Sequence, residues 1–130
     1  MRHITGILLF IIALLLAFII MPIGFVYGIV KNILTFKGKT LILVINKAFY
    51  MIAYAIDQLG NVVCQFLFND LMIQKGGYKF GDPDKTISYV LGINKQNSTL
   101  SGFGGLIVAL LHLVDPNHVE KAVQNDQKHD

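Results

Sequence analysis

TLILVINKAFYMIAYAIDQLGNVVCQFLFNDLMI, residues 40–73, carries two different stripes on one helical period. Ile45, Ala48, Phe49 and Ile52 open an i, i+3, i+4, i+7 pattern that continues through Ala55, Ile56, Leu59, Val62, Val63, Phe66 and Leu67. That pattern is one apolar face of an α-helix. The helix is expected from about Thr40 to Met72, with Gly76-Gly77 stopping it. Tyr50, Tyr54, Asp57, Asn61, Cys64 and Phe68 form the second stripe, aromatic at its start and polar in the middle. Asp57 and Asn61 lie one turn apart and point the same way. Two readings stand for them: a solvated face, or a polar cluster inside a folded domain. A solvent-facing helix usually displays Lys and Glu, and residues 48–69 contain neither.

Upstream, ITGILLFIIALLLAFIIMPIGFVYGIV, residues 4–30, holds no charged residue. A spanning helix needs roughly 20 apolar residues. The run is too long for the ~7–15 apolar residues of a cleaved signal peptide, and no A-x-A-like site follows it. It reads as an uncleaved signal anchor, a transmembrane helix with Pro22 and Gly24 toward its end. Lys47, Asp57 and Asp70 count against a second span, because each charge costs at least ~2.5–3.5 kcal/mol in a bilayer. Residues 41–56 carry Lys47 alone, so an amphipathic helix in the interface is expected there. A two-span hairpin is the alternative, and it makes the chain resemble a small pore-forming lysis protein.

Charge follows the same division. The chain is 15% charged, against about 25% for an ordinary soluble domain, and the deficit lies at the N-terminus. Residues 1–39 hold four basic residues and no acid; residues 40–130 hold seven Lys and eight acids. The basic balance is therefore juxtamembrane: Lys31, Lys37 and Lys39 suit anionic headgroups, at about 1 kcal/mol each. These lysines and Lys47 outweigh Arg2 across the span, which places the C-terminal part in the cytoplasm. Nucleic acid is excluded as a partner, since the folded part has no Arg and no basic cluster. Cys64 is the single cysteine, so no intrachain disulfide forms.

Downstream, FGDPDKTIS (80–88) and VDPNH (114–118) each place an Asp-Pro pair where a helix should open. Asp82 and Asp115 are expected as N-caps, with Pro at the first helical position. Asp84 and His118 then fall in first turns, free to face Asp57 and Asn61. A helix is expected over Pro83 to Leu91, closed by Gly92, and another over Gly102 to Val114, with Phe103, Leu106, Ile107, Leu110 and Leu111 as its buried stripe. A last short helix and a disordered tail, 125–130, follow. The fold class is all-α: a transmembrane anchor (1–39), then a small helical domain (40–124).

The series A-I-D-Q-L-G-N (55–61), G-D-P-D-K-T-I-S (81–88) and D-P-N-H-V-E-K-A (115–122) resembles a group of small proteins encoded by tailed bacteriophages. Those share D-Q-L-x-N, P-D-x-T-[IL]-S and C-terminal D-x-x-H motifs. The resemblance implies a phage setting and a shared fold, without an activity. Carried over residue by residue, it marks Asp57, Asn61, Pro83, Asp84, Thr86, Ser88 and His118. Tyr89 and Val119 depart from it, where the group tends to have a second serine and a cysteine.

The candidate polar cluster is thus Asp57, Asn61, Asp84, Thr86, Ser88 and His118. A Ser-His-Asp set drawn from Ser88, His118 and Asp57 lacks any sequence signature. No phosphate-cradling loop is present, and no cofactor or metal is called for by ligand spacing. Three functions remain: a noncatalytic single-span protein of the host inner membrane whose domain binds a host or phage protein; a holin-like, oligomerising lysis protein; and a membrane-anchored enzyme using Asp57, Asp84 and His118. The first is the reading adopted, with the lipid bilayer as its other partner.

Overall fold

The computed structural model describes residues 3–129, with the side chains of residues 128 and 129 outside that description. Met1, Arg2 and Asp130 also lie outside it, and with them the Arg2 side of the lysine balance and the end of the expected tail. Among the described residues the chain is all-helical: α1 (Thr5–Thr35), α2 (Gly38–Val63), α3 (Gln65–Leu71), α4 (Ile87–Gln96), α5 (Gly102–Val114) and α6 (His118–His129). It divides into two compact units, Met1–Tyr50 and Met51–Asp130. The division falls inside α2, not at the 39/40 boundary expected from the charge pattern.

In the first unit α1 runs 31 residues without a break at Pro22, and none of its side chains is buried. It is long and apolar enough to cross a membrane, as is α2 by length and composition. The two are joined by Phe36 and Lys37, with Gly38 at φ +59°. Phe25 and Phe49 meet edge to face at 5.8 Å.

The second unit is built on α4. Val90 and Leu91 are fully buried, and Val119 and Val123 of α6 pack as deeply. Gly92 does not end α4 as expected but lies inside it, at the crossing with α6. A Cβ there would lie 2.5 Å from the Val119 carbonyl oxygen and 2.6 Å from a Val123 methyl. The expected helix over 40–72 breaks at Cys64, where the Gln65 side-chain amide donates to the Val62 carbonyl, 2.9 Å. Met72, Ile73, Phe80 and Val108 complete the core. Ile73 and Leu100 form an isolated antiparallel bridge that ties the end of α3 to the start of α5. The N-cap of α5 is Ser101, accepting from Gly104 N–H at 3.0 Å.

On α5 the expected packing stripe is kept in part and rotated, and on α2 the structure takes the second of the two readings of the polar stripe. On α5 the inward residues are Gly104, Val108, Ile107 and Leu111, while Phe103, Leu106 and Leu110 are about half exposed. The backbone at Gly104 lies against the Met72 carbonyl, a contact that any larger residue obstructs, and this rotates the helix away from the expected stripe. On α2 and α3 the apolar stripe, Ile52 to Leu67, faces outward, and the polar stripe faces the domain. The segment expected as a disordered tail is helical through His129, and Asp126 within it pairs with Lys85.

Candidate functional site

Residues 74–86 contain no regular element, so their backbone groups need partners from elsewhere. Side-chain amides and carboxylates supply them. Asn61, fully buried on α2, donates from Nδ2 to the carbonyls of Asp82 and Lys85, both at 2.9 Å. Its Oδ1 accepts from Gly81 N–H at 3.0 Å. Asn69 holds both backbone groups of Phe80, accepting at 2.7 Å and donating at 3.3 Å. Asn94, also fully buried, brackets Tyr78 in the same way at 2.9 and 2.8 Å, and accepts from Thr99 Oγ1 at 2.6 Å.

One turn before Asn61, Asp57 reaches the N-terminus of α4. Its Oδ1 accepts from Ile87 N–H at 2.8 Å, and its Oδ2 from Ser88 Oγ at 2.8 Å. A carboxylate at the positive end of a helix gains from the unpaired amides and the dipole together. The N-cap within the chain is Thr86, which accepts from Tyr89 N–H at 3.0 Å.

From Ser88 the connection continues. Ser88 Oγ is 3.0 Å from His118 Nε2, and His118 Nδ1 is 3.0 Å from Asp115 Oδ2. Lys121 donates to the other oxygen of Asp115 at 2.6 Å. The order is Asp57, Ser88, His118, Asp115, Lys121, drawn from α2, α4, the α5–α6 turn and α6. Ser88 is buried and His118 half-buried. Proton counting limits the roles. A serine hydroxyl has one proton, and an ionised carboxylate only accepts. With that proton given to Asp57, the two remaining bonds need protons from the imidazole, on Nε2 toward Ser88 and on Nδ1 toward Asp115. All three bonds are made when the imidazole is doubly protonated; a neutral ring leaves one of them without a proton. The Asp115 carboxyl is held below its usual range by hydrogen bonds from Lys121 and then from His118.

The cap assignments need correction. Asp82 opens a β-turn: Lys85 N–H donates to its carbonyl and Asp84 N–H to its Oδ1, both at 3.0 Å. The helix starts only at Ile87, so Asp84 belongs to that turn, exposed, and not to a first helical turn facing inward. Asp115 ends α5 and opens a second turn, with His118 N–H donating to its carbonyl at 3.1 Å. Pro116 at the second position and Asn117 at φ +59° at the third are the type II pattern. The carboxylate of Asp115 therefore orients His118 instead of capping α6.

Of the six cluster residues, Asp57, Ser88 and His118 join one chain of hydrogen bonds, Asn61 and Thr86 hold the backbone beside it, and Asp84 stands apart. The sequence reading missed Asp115 and Lys121 as partners of His118, and Asn69 and Asn94 as holders of the loop. The i, i+3 spacing of Asp115 and His118 was the available signal for the first pair.

A second set lies on the other side of α6. Glu120 pairs with Lys95 and lies 3.0 Å from His112 Nε2. Burial alone raises the Glu120 carboxyl, but the Lys95 hydrogen bond and neighbouring charge bring it below its usual range. Burial, with Tyr89 beside it, pushes the Tyr78 hydroxyl up. Among the described residues no three His, Cys, Asp or Glu side chains are grouped so as to hold a metal ion. No family model, curated protein or solved structure matches the chain.

Proposed function

We propose that the chain is a phage-encoded, noncatalytic membrane protein. In this reading α1 anchors it in the host inner membrane as a single span. The helical domain stands in the cytoplasm and binds a host or phage protein there, as in superinfection exclusion or envelope takeover. The observation that carries the reading is α1, 31 residues with no charge from 4 to 30 and no buried side chain. The lysines at 31, 37, 39 and 47 support the orientation. The hydrogen bond from Ser88 Oγ to Asp57 supports a noncatalytic domain, since it occupies the proton that an activating base would take. Phage origin rests on the three motifs alone.

Fusion of a phosphatase or a fluorescent protein to the C-terminus tests the topology. A fluorescent, phosphatase-negative pattern agrees with one span and a cytoplasmic domain. An exported C-terminus sinks it and turns attention to α2 as a second span, the holin-like arrangement. Capture of partners from infected cells with the full-length chain then tests the binding role.

One observation favours a second reading, a membrane-anchored hydrolase. Ser88, His118 and Asp115 stand in nucleophile, base and orienting positions at 3.0 Å each. A fluorophosphonate probe separates the two. Labelling that disappears in Ser88→Ala supports the hydrolase; an unlabelled folded protein supports the noncatalytic reading.

A further inference from the structure

Amphipathic helices of soluble domains turn their apolar side inward. Here α2 and α3 do the reverse. Asp57 and Asn61 point into the domain, and their hydrogen bonds are spent there. Ile52, Ile56, Leu59, Val63, Phe66 and Leu67 are left outside, 41–77% exposed. Their spacing of four, three, four, three and one puts them on one continuous face, on the order of several hundred Å², as large as the largest apolar patches of soluble monomers.

We infer that this face seats the domain on the lipid bilayer, at the boundary between headgroups and acyl chains. The inference rests on the membrane reading of α1. Two observations choose lipid over a second copy or a protein partner. The face begins on α2, which follows α1 in the chain after a two-residue link, and continues onto α3 beyond the break at Cys64. Residues 1–56 contain no acidic side chain, while Lys31, Lys37, Lys39 and Lys47 precede the face in sequence, the charge an anionic headgroup layer attracts. Exposed Asp70 marks where the face leaves the surface. Helices of this kind lie ~5–10 Å into the headgroup–acyl boundary.

The chain has no Trp, so single substitutions report local depth. Leu59→Trp, Phe66→Trp, Leu15→Trp in the anchor and Gln124→Trp at an exposed position of α6 are each made in the full chain. Each is reconstituted in phosphatidylcholine–phosphatidylglycerol vesicles, with or without acyl-brominated lipid. Circular dichroism confirms helix content. The expected result is strong quenching by brominated lipid at positions 15, 59 and 66, shallower at 59 and 66 than at 15, with position 124 quenched by aqueous acrylamide instead. Positions 59 and 66 open to acrylamide, with position 15 lipid-quenched, overturn the inference and leave the anchor standing. Shielding of 59 and 66 from both quenchers, dependent on protein-to-lipid ratio, also overturns it, in favour of a second copy. Position 15 unquenched by lipid removes the anchor and the inference together. Equal lipid quenching at all four positions overturns it as nonspecific embedding.

Discussion

Replacing Asp57 by Ala removes the acceptor for two donors at once, Ile87 N–H and Ser88 Oγ–H. Ser88 is buried, and Ile87 packs against α2 so closely that a Cβ on Gly60 would lie 2.9 Å from its terminal methyl. Water therefore reaches these donors poorly. An unpaired buried donor costs about 1–3 kcal/mol. Loss of a carboxylate at a helix N-terminus adds about 0.3–1 kcal/mol. With one of the two donors left unpaired, Asp57→Ala is thus expected to destabilise the domain by roughly 1–4 kcal/mol. Asp82→Ala loses one exposed turn bond and is expected to cost under about 1 kcal/mol. Hydrogen exchange of the α4 amides in the full chain, held in lipid nanodiscs, reads the local opening free energy. A double-mutant cycle adds the sharper test. Asp57→Ala and Ser88→Ala share one bond, so they should couple by about 0.5–3 kcal/mol, while Asp57→Ala and Asp84→Ala should add within about 0.5 kcal/mol. A near-neutral Asp57→Ala, or additivity with Ser88→Ala, refutes the assignment of Asp57 as the acceptor that joins α2 to α4.

Asn94→Ala removes four partners of a fully buried side chain and should cost roughly 2–4 kcal/mol in the same exchange measurement, with protection lost first around Tyr78. Gly92→Ala pushes α4 from α6 and should lower the thermal midpoint of the domain, at about 1–3 kcal/mol for an overpacked contact. Asp115 and Glu120 both have carboxyls held below their ordinary values, 3.8 and 4.5. Their contribution is therefore present above those values and lost as pH falls through the lowered ones. Protection of α6 amides should fall below about pH 4 and change little between pH 5 and 7 on their account; Asp115→Asn should remove its share of that acid sensitivity.

The fold class was legible because periodicity and length dominate it. The run at 4–30 and the segment 102–114 became α1 and α5 without ambiguity, the second with its Ser101 cap. What sequence left open was which face of a helix meets which neighbour. Both stripes of residues 45–68 have helical spacing, and hydrophobicity alone assigns the apolar one to the interior. Caps were misread for a related reason. Asp-Pro is good helix-start chemistry and equally good turn chemistry, and the choice was made by Asp57, thirty residues away, which supplies the acceptor at Ile87. The i, i+3 relation between Asp115 and His118 was visible, but its use depended on a turn with Asn117 at positive φ.

The backbone needs of the site also decide which face of α2 is left outside. The stretch between α3 and α4 has to satisfy its backbone groups, and Asn61, Asn69, Asn94 and Asp57 do so from three helices. A helix face committed to that task cannot also be the apolar side of the core. On α2 the apolar residues are consequently displaced to the outside, where water would penalise them by about 25 cal/mol per Å² of exposed apolar surface. A bilayer removes that penalty. Leu59→Glu should then leave the hydrogen bonds of Asp57 and Asn61 intact, with α4 exchange unchanged in detergent. In vesicles it should lift the face from the lipid and expose residues 52–67 to a soluble protease. Equal protection of wild type and variant from that protease would separate the inverted helix from the membrane and leave the polar face as a matter of folding alone.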